Sequence, residues 1–295
     1  MVRSDPLHCE KIVRRNARTL ALASYFLPAK KRRASFALYS FRRSADDIVD
    51  ACGPDRKAIA RNLLEHRRAL TEAIDGRPRG PVLRELRWAM REFDISSEVL
   101  FDLLDRVSRG ANPPTWSSWE DLEKDCEIAA ETVGTICTRI CGIPGGPRQE
   151  QLALSHARTL GVAMQLTNIL RDVGEDAKSG QCHLPDEELA RFSLERDDVI
   201  GDPAIAQDPR WHRLMTFEIE RARALYDRAL PGISMLAEDS QRCAAACAIG
   251  YAAILDALEN IHYDSVSSRA SIGTFARIGV LWDAWRFKAK ARAMA

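Results

Sequence analysis

The sequence has almost no stretch in which apolar and polar residues alternate, the period-two signature of a half-buried strand, so a sheet-based fold is excluded and an all-α fold is expected. No apolar run approaches the ~18 residues of a membrane span, and nothing at the start reads as a signal peptide. There is no CxxC pair. The eight cysteines (Cys9, Cys52, Cys126, Cys137, Cys141, Cys182, Cys243 and Cys247) read as reduced thiols of a cytoplasmic protein. Two of their pairs, Cys137 with Cys141 and Cys243 with Cys247, have helical i, i+4 spacing. No His completes either, so helix packing is the better account. Neither charge sign is in excess: 43 basic against 42 acidic residues leave a net charge of +1. That excludes the broad basic field of a nucleic-acid-binding protein. No internal repeat, composition break or GxGxxG dinucleotide fingerprint occurs. A chain of 295 residues, 46% of them hydrophobic, then reads as one sizeable core-bearing domain.

What is present is helical periodicity between proline and glycine breaks. Pro28 reads as the N1 residue of a helix that closes at Cys52-Gly53-Pro54-Asp55. Further helices are expected over 56–74, 82–93, 97–107, 119–141, 148–177, 211–230, 232–260 and 271–294. A turn through Asn112-Pro113-Pro114 precedes the helix at Trp119, which Ser117 or Ser118 caps. Residues 180–185 read as a loop, and Asp197, Asp198 and Asp202 as turn and cap chemistry.

Two polar rows stand out. In the helix over 148–177, Gln165, Asn168, Asp172 and Asp176 are three, four and four residues apart. At about 100° per residue they form a row about 80° wide, bordered by Val162, Ile169 and Val173 on one side and Met164 on the other. In the earlier helix, Tyr39, Arg43, Asp46 and Asp50 share a face opposite Leu38, Phe41, Ala45, Ile48 and Val49. Carboxylates four residues apart repel and raise each other's pKa unless something cationic lies between them. A solvated acidic stripe is one reading of such rows. A divalent metal is the other, and acids and amides without His or Cys suit Mg²⁺, with Mn²⁺ as the alternative. Mg²⁺ shares its shell with substrate phosphates, which points to a phosphate or diphosphate substrate.

The stretches Arg43-Ser44-Ala45-Asp46-Asp47-Ile48-Val49-Asp50 and Asn168-Ile169-Leu170-Arg171-Asp172-Val173-Gly174-Glu175-Asp176 resemble the two aspartate-rich motifs of the squalene and phytoene synthases. The resemblance runs from about Asn16 to Arg277. It implies a single-domain isoprenoid-synthase helical bundle around a central active-site cavity, in which two prenyl diphosphates are joined head to head. It also implies metal ligation by Asp46, Asp50, Asn168, Asp172 and Asp176. Diphosphate binding falls to Arg18, Thr19, Arg43, Arg171, Arg269 and Arg277, with Gln165 in the substrate site. Tyr39 and Tyr251 match tyrosines that face the reacting carbons, where an aromatic face stabilises a carbocation.

The same resemblance bears on chain length. Ser24 lies where a relative using a C15 substrate carries a bulky aromatic, and Ala129, Ala130, Val133 and Cys137 recur at i, i+1, i+4, i+8, leaving room for a longer tail. The expected reaction therefore joins two geranylgeranyl diphosphates to phytoene without NADPH. The alternatives are a C15-using squalene, hydroxysqualene or dehydrosqualene synthase, an enzyme making only one ionisation, or a non-enzymatic relative. Departures from the family pattern are Ala17 for Ser, Asp125-Cys126-Glu127 for Tyr-Cys-Tyr, Glu131 for a small residue and His183 for Tyr. Asp125 beside a cation path would either trap the intermediate or bind magnesium. Trp282, Trp285 and Phe287 with Arg286, Lys288, Lys290 and Arg292 read as a packing helix or a peripheral membrane contact.

Overall fold

A computed structural model of the chain describes residues 4–53, 55–110 and 114–287. Among them there is no strand. The helices are α1 (Ser4–Asn16), α2 (Arg18–Ala23), α3 (Ala29–Cys52), α4 (Arg56–Ile74), α5 (Gly80–Phe93), α6 (Ser97–Gly110), α7 (Trp119–Cys141), α8 (Pro147–Lys178), α9 (Asp186–Arg191), α10 (Arg196–Gly201), α11 (Pro209–Ala229), α12 (Glu238–Asn260) and α13 (Thr274–Arg286). Short 3₁₀ turns cover Ser24–Phe26, Pro203–Gln207 and Leu230–Met235.

Caps explain several boundaries. Asp55 starts α4 by accepting from the Lys57 and Ala58 amides at 3.1 and 3.0 Å. Ser118 accepts from the Asp121 amide at 3.2 Å and so starts α7 as expected. Glu195 and Asp198 form a capping box, and Asp202 caps the 3₁₀ turn after it, which confirms their reading as cap residues. Pro28 stands one position earlier than expected, as the N-cap of α3. The helix expected from residue 232 starts only at Glu238, because Pro231 removes a backbone donor and the segment 230–235 takes a 3₁₀ path. The last helix is shorter than expected: α13 starts at Thr274 and ends at Arg286, with Phe287 as its C-cap. Lys288, Lys290 and Arg292 lie outside the described residues, as do Asn112 and Pro113 of the expected turn.

The chain forms two compact units. The first comprises Met1–Pro113, Thr132–Gly146 and Leu236–Cys243. Its core is Leu38, Phe41 and Ala45 of α3 with Leu63 and Leu70 of α4, Leu83 and Leu86 of α5, Leu100 and Leu104 of α6, and Ile136 and Ile140 of α7. Two buried carboxylates fix its helices. Asp5 of α1 takes a bidentate pair from Arg84 of α5, at 2.7 and 3.0 Å. Glu85, fully buried, takes another from Arg33 of α3, whose guanidinium also lies 3.7 Å from the centre of the Trp88 ring.

The second unit comprises Pro114–Glu131, Pro147–Met235 and Ala244–Ala295. Here α8 packs along α11, burying Leu166 and Leu170 with Trp211, Leu214, Met215 and Ile219. Glu218 is buried in this unit, accepting two hydrogen bonds from Arg221, which also pairs with Glu188. Burial outweighs that partner and raises its carboxyl from 4.5 to about 7. The unfolded chain therefore ionises first, and stability is lost as pH rises from about 4.5 to about 7. Glu218→Gln keeps the shape and an acceptor, so its melting temperature should decline less than wild type over that interval; parallel curves would contradict the assignment.

One sequence expectation needs correction. An 18-residue window in α12 reaches a mean hydropathy of 1.2, enough for a membrane span by length and composition. The score comes from alanines and cysteines that serve as small packing residues: Cys243, Ala245, Ala246 and Ala248 are all buried. Core helices pass the same test. The eight cysteines are all free thiols.

Candidate active site

The second polar row occupies the C-terminal half of α8, and the apolar residues bordering it on one side (Val162, Ile169, Val173) are buried as the pattern required. Gln165 is exposed, while Asn168, Asp172 and Asp176 are half-buried. Arg171 grips Asp172 with both arms of its guanidinium, at 2.7 and 2.5 Å. Arg269 reaches the same carboxylate from the segment before α13, at 2.8 Å, and lies 3.5 Å from Glu175. Burial pushes the Asp172 carboxyl up, but the two arginines win and hold it below the ordinary range. Asp176, one turn on, has no such partner. Burial first, then the charges of Asp172 and Glu175, raise it to about 7.

Gly174 explains how Arg269 gets there. A Cβ at Gly174 would lie 2.0 Å from the carbonyl oxygen of Val266, so the chain after α12 can lie on α8 only where no side chain intervenes. The Gly174 amide donates to the Ser265 carbonyl at 3.0 Å, which fixes that approach. His183 lies beside Asp176, its Nε2 3.6 Å from the carboxylate, and packs against Trp116 with ring centroids 5.6 Å apart. Burial, and secondarily Arg196, lower its pKa and favour the neutral ring. Tyr251 is partly buried against the core of this unit. The Glu131 departure is a surface feature, paired with Arg158 at 3.3 Å.

The first row lies on α3. Arg43 reaches Asp47 at 2.5 Å and Asp50 at 3.1 Å through one nitrogen, and Arg42 stands 3.8 Å from Asp46. Burial raises the Asp46 carboxyl, against the pull of Arg42 and Arg43. Tyr39 and Thr19 are half-buried and Arg18 is exposed. Ala17 stands at the N-cap of α2 with no side-chain cap bond, having no side-chain acceptor to offer. Ser24 is wholly buried, its hydroxyl donating to the Ala21 carbonyl at 2.7 Å.

The four small residues of α7 differ in exposure. Ala130 is buried against α8, where a Cβ on Gly161 would come within 2.3 Å of its methyl, while Ala129 is half-buried and Val133 and Cys137 are exposed. Positions 129 and 130 are about 100° apart on a helix, too far to share a narrow face.

Do these residues fit a metal? Among the described residues no three His, Cys, Asp or Glu side chains converge on one point. The donors nonetheless have the character Mg²⁺ requires. The Asn168 carbonyl oxygen is buried without a hydrogen-bond partner, in the row that contains Asp172 and the cation-poor Asp176. Mg²⁺ takes one or two carboxylates and fills its shell with water and phosphate oxygens, so a convergent cage is not needed. Buried Nε atoms of Arg43 and Arg277 likewise lack partners. Three expected ligand-binding residues thus carry unsatisfied polar atoms where the resemblance placed substrate or metal.

Sequence reasoning passed over Asp47, the nearer partner of Arg43, and Glu175, which helps raise Asp176. It also passed over the packing role of Gly174, although a mid-helix glycine, which costs about 1 kcal/mol relative to Ala, was the available signal.

Known proteins bear directly on this arrangement. The family model described as squalene/phytoene synthase matches residues 13–277. The 15-cis-phytoene synthase of Synechococcus elongatus is 32% identical over 284 residues, covering 92% of this chain and 89% of that protein. That of Synechocystis is 31% identical, covering 94% and 83%. Among solved structures, a dehydrosqualene synthase in complex with ligand superposes with a TM-score of 0.84 at 27% identity, covering 96% of both chains. Squalene synthase HpnC from Alicyclobacillus acidocaldarius gives a TM-score of 0.74 at 25% identity, over 88% of this chain and 95% of that one. With both aspartate rows inside the matched region, the chain belongs to the squalene/phytoene synthase family.

Proposed function

We propose that this protein is a prenyltransferase that joins two geranylgeranyl diphosphates head to head to give phytoene, through a cyclopropylcarbinyl diphosphate, with release of diphosphate. The observation that carries this reading is the second row: Asp172 held ionised by Arg171 and Arg269, next to a buried Asn168 carbonyl without a partner. Residues 1–295 act as one functional domain in this reading, supported by a family match that runs through residues of both units.

Diphosphate leaves only when its charge is neutralised, and Mg²⁺, when bound, supplies that neutralisation. By the resemblance, Asp46 and Asp50 of the first unit, and separately Asn168, Asp172 and Asp176 of the second, are the candidate Mg²⁺ ligands. Arg171 and Arg269, already gathered on Asp172, are placed to exchange that carboxylate for phosphate oxygens, and Arg18, Thr19, Arg43 and Arg277 supply further donors. Gln165 adds an amide to the substrate row. Tyr39 and Tyr251 present faces that stabilise a cation without capturing it. The last cation loses a proton, so no NADPH is consumed.

Chain length is assigned through Ser24, with Ala129 and Val133 lining the longer tail. Ser24→Phe adds a ring at a fully buried position, at about 1 to 3 kcal/mol of overpacking. It should reject a C20 tail while admitting C15. With mixed C15 and C20 substrates, wild type should give mainly C40 product and the variant should shift to C30. An unchanged ratio, or a wild type that already prefers C15, removes this assignment.

The protein acts in the cytoplasm with peripheral membrane contact. Ile278, Trp282 and Trp285 of α13 are 59%, 57% and 53% exposed, with the two indoles stacked at 5.5 Å, a composition suited to the headgroup boundary. Trp282→Ala/Trp285→Ala should float with anionic vesicles less than wild type; equal flotation would contradict the contact.

A further inference from the structure

The guanidinium of Arg196, at the start of α10, has all three of its nitrogens committed, each to a different point of the second unit. Nε donates to the Asp186 carboxylate at 2.5 Å, Nη1 to the Cys182 carbonyl at 2.5 Å and Nη2 to the Trp116 carbonyl at 3.0 Å. An exposed ion pair would contribute little. Here the Arg196 side chain is only 18% exposed, and two of its acceptors are backbone carbonyls of buried residues, so its bonds fix main chain. The segments it joins are also laced to each other. The Asp186 and Glu187 amides donate to the Trp116 and Ser117 carbonyls at 3.0 and 3.1 Å, and the Glu187 carboxylate accepts from the Trp119 amide at 2.6 Å.

His183 lies between Cys182 and Asp186, the two points of its loop that Arg196 holds, and its ring packs on Trp116, the third. That loop starts on the second aspartate row itself, because the Gln181 amide returns to the Asp176 carbonyl at 3.0 Å. His183 Nε2 then stands 3.6 Å from the Asp176 carboxylate. This is too long for a direct hydrogen bond, but it lets the imidazole fill the space beside the carboxylate and limit its rotation. Asp172 is held by two arginines. Asp176 is confined instead by a ring whose own place is set by Arg196.

We propose that Arg196 is a positioning residue for the second aspartate row: it holds residues 182–186 and Trp116 so that His183 restricts Asp176, and thereby raises the affinity of the row for divalent metal. Arg196 touches neither metal nor substrate and acts through His183. The inference rests on the reading of the row as a Mg²⁺ site. Residues that orient metal ligands from behind typically contribute roughly 10- to 100-fold in metal affinity.

The test is titration of Mn²⁺ into the full chain with an unreactive thiolo analogue of geranylgeranyl diphosphate bound, free metal being read from its EPR signal. Arg196→Ala should bind Mn²⁺ about tenfold more weakly than wild type. Arg196→Lys keeps the charge but not the three-way fork, so it should not restore affinity; as the milder change it also serves where Arg196→Ala does not fold. Arg210→Ala removes a guanidinium of the same unit, bound to Asp208 and the Ser193 carbonyl, and should bind like wild type. His183→Ala should weaken binding as Arg196→Ala does, and the double variant should be no weaker than either single one, since both act on one carboxylate. A merely structural arginine would lower the melting temperature without this coupling. The inference is overturned if either Arg196 variant binds like wild type, if Arg210→Ala weakens binding as much, or if the effects at 183 and 196 add. Asp172→Asn separates it from the reading it rests on. If that variant binds Mn²⁺ as wild type does, the row is not the metal site and both fall; if it loses metal while the Arg196 variants keep it, the Arg196 assignment alone falls.

Discussion

Asp172→Asn should lower turnover at least about a thousandfold, because losing metal-assisted neutralisation of the leaving group forfeits several kcal/mol, and about 4 kcal/mol is three decades in rate. Asp46→Asn should do the same. The two variants should part company in stability. Asp172 is held below the ordinary carboxylate range by Arg171 and Arg269, so its charge stabilises the metal-free fold above its unfolded pKa, and that stability is lost as pH falls through the folded value. Asp172→Asn should therefore melt lower than wild type at neutral pH. Asp46 is shifted the other way, by burial, so Asp46→Asn should melt at or above wild type. From sequence, both aspartates look alike and both substitutions would be expected to relieve repulsion. Arg171, joined by Arg269 from far along the chain, makes the difference. Equal melting behaviour, or retained turnover in either variant, would contradict this account.

Gly174→Ala should be damaging although alanine is the better helix former. The gain of about 1 kcal/mol in helix propensity is set against a methyl placed 2.0 Å from the Val266 carbonyl oxygen. That oxygen belongs to backbone and cannot rotate away, so the chain over 265–269 must lift off α8 and carry Arg269 with it. Overpacking of this kind costs about 1 to 3 kcal/mol, and at the upper end the net loss is about 2 kcal/mol, roughly 4 to 8 °C in Tm for a chain of this size. Turnover should fall as well, since Arg269 leaves Asp172. Gly146→Ala, at a position with open space around it, should change neither quantity. A Gly174→Ala protein as stable and active as wild type would show that the approach of Ser265 and Val266 does not position Arg269.

Sequence periodicity and caps delimited the long helices because those signals are local. Asp55 and Ser118 sit at the boundaries they were expected to set, and α4 and α7 run as expected. The short α9 and α10, six residues each, are too brief to show a period and carry no expectation from the sequence. The polar row of α8 was legible for the same local reason: spacing alone places Asn168, Asp172 and Asp176 together. What spacing cannot supply is the partner from elsewhere in the chain. Arg269 meets Asp172 across 97 residues of sequence. His183 meets Asp176 through the fold rather than through any spacing. Nor does spacing show that Ala130 of α7 packs against Gly161 of α8.

The most direct test is incubation of the purified chain with geranylgeranyl diphosphate and Mg²⁺, without NADPH, followed by mass spectrometry of the extracted hydrocarbon. The account requires C40 phytoene, with two diphosphates released for each molecule formed. A C20 hydrocarbon or alcohol would mean a single ionisation without joining, and no product beside a robust C30 hydrocarbon from farnesyl diphosphate would mean a C15 enzyme; either result contradicts the account.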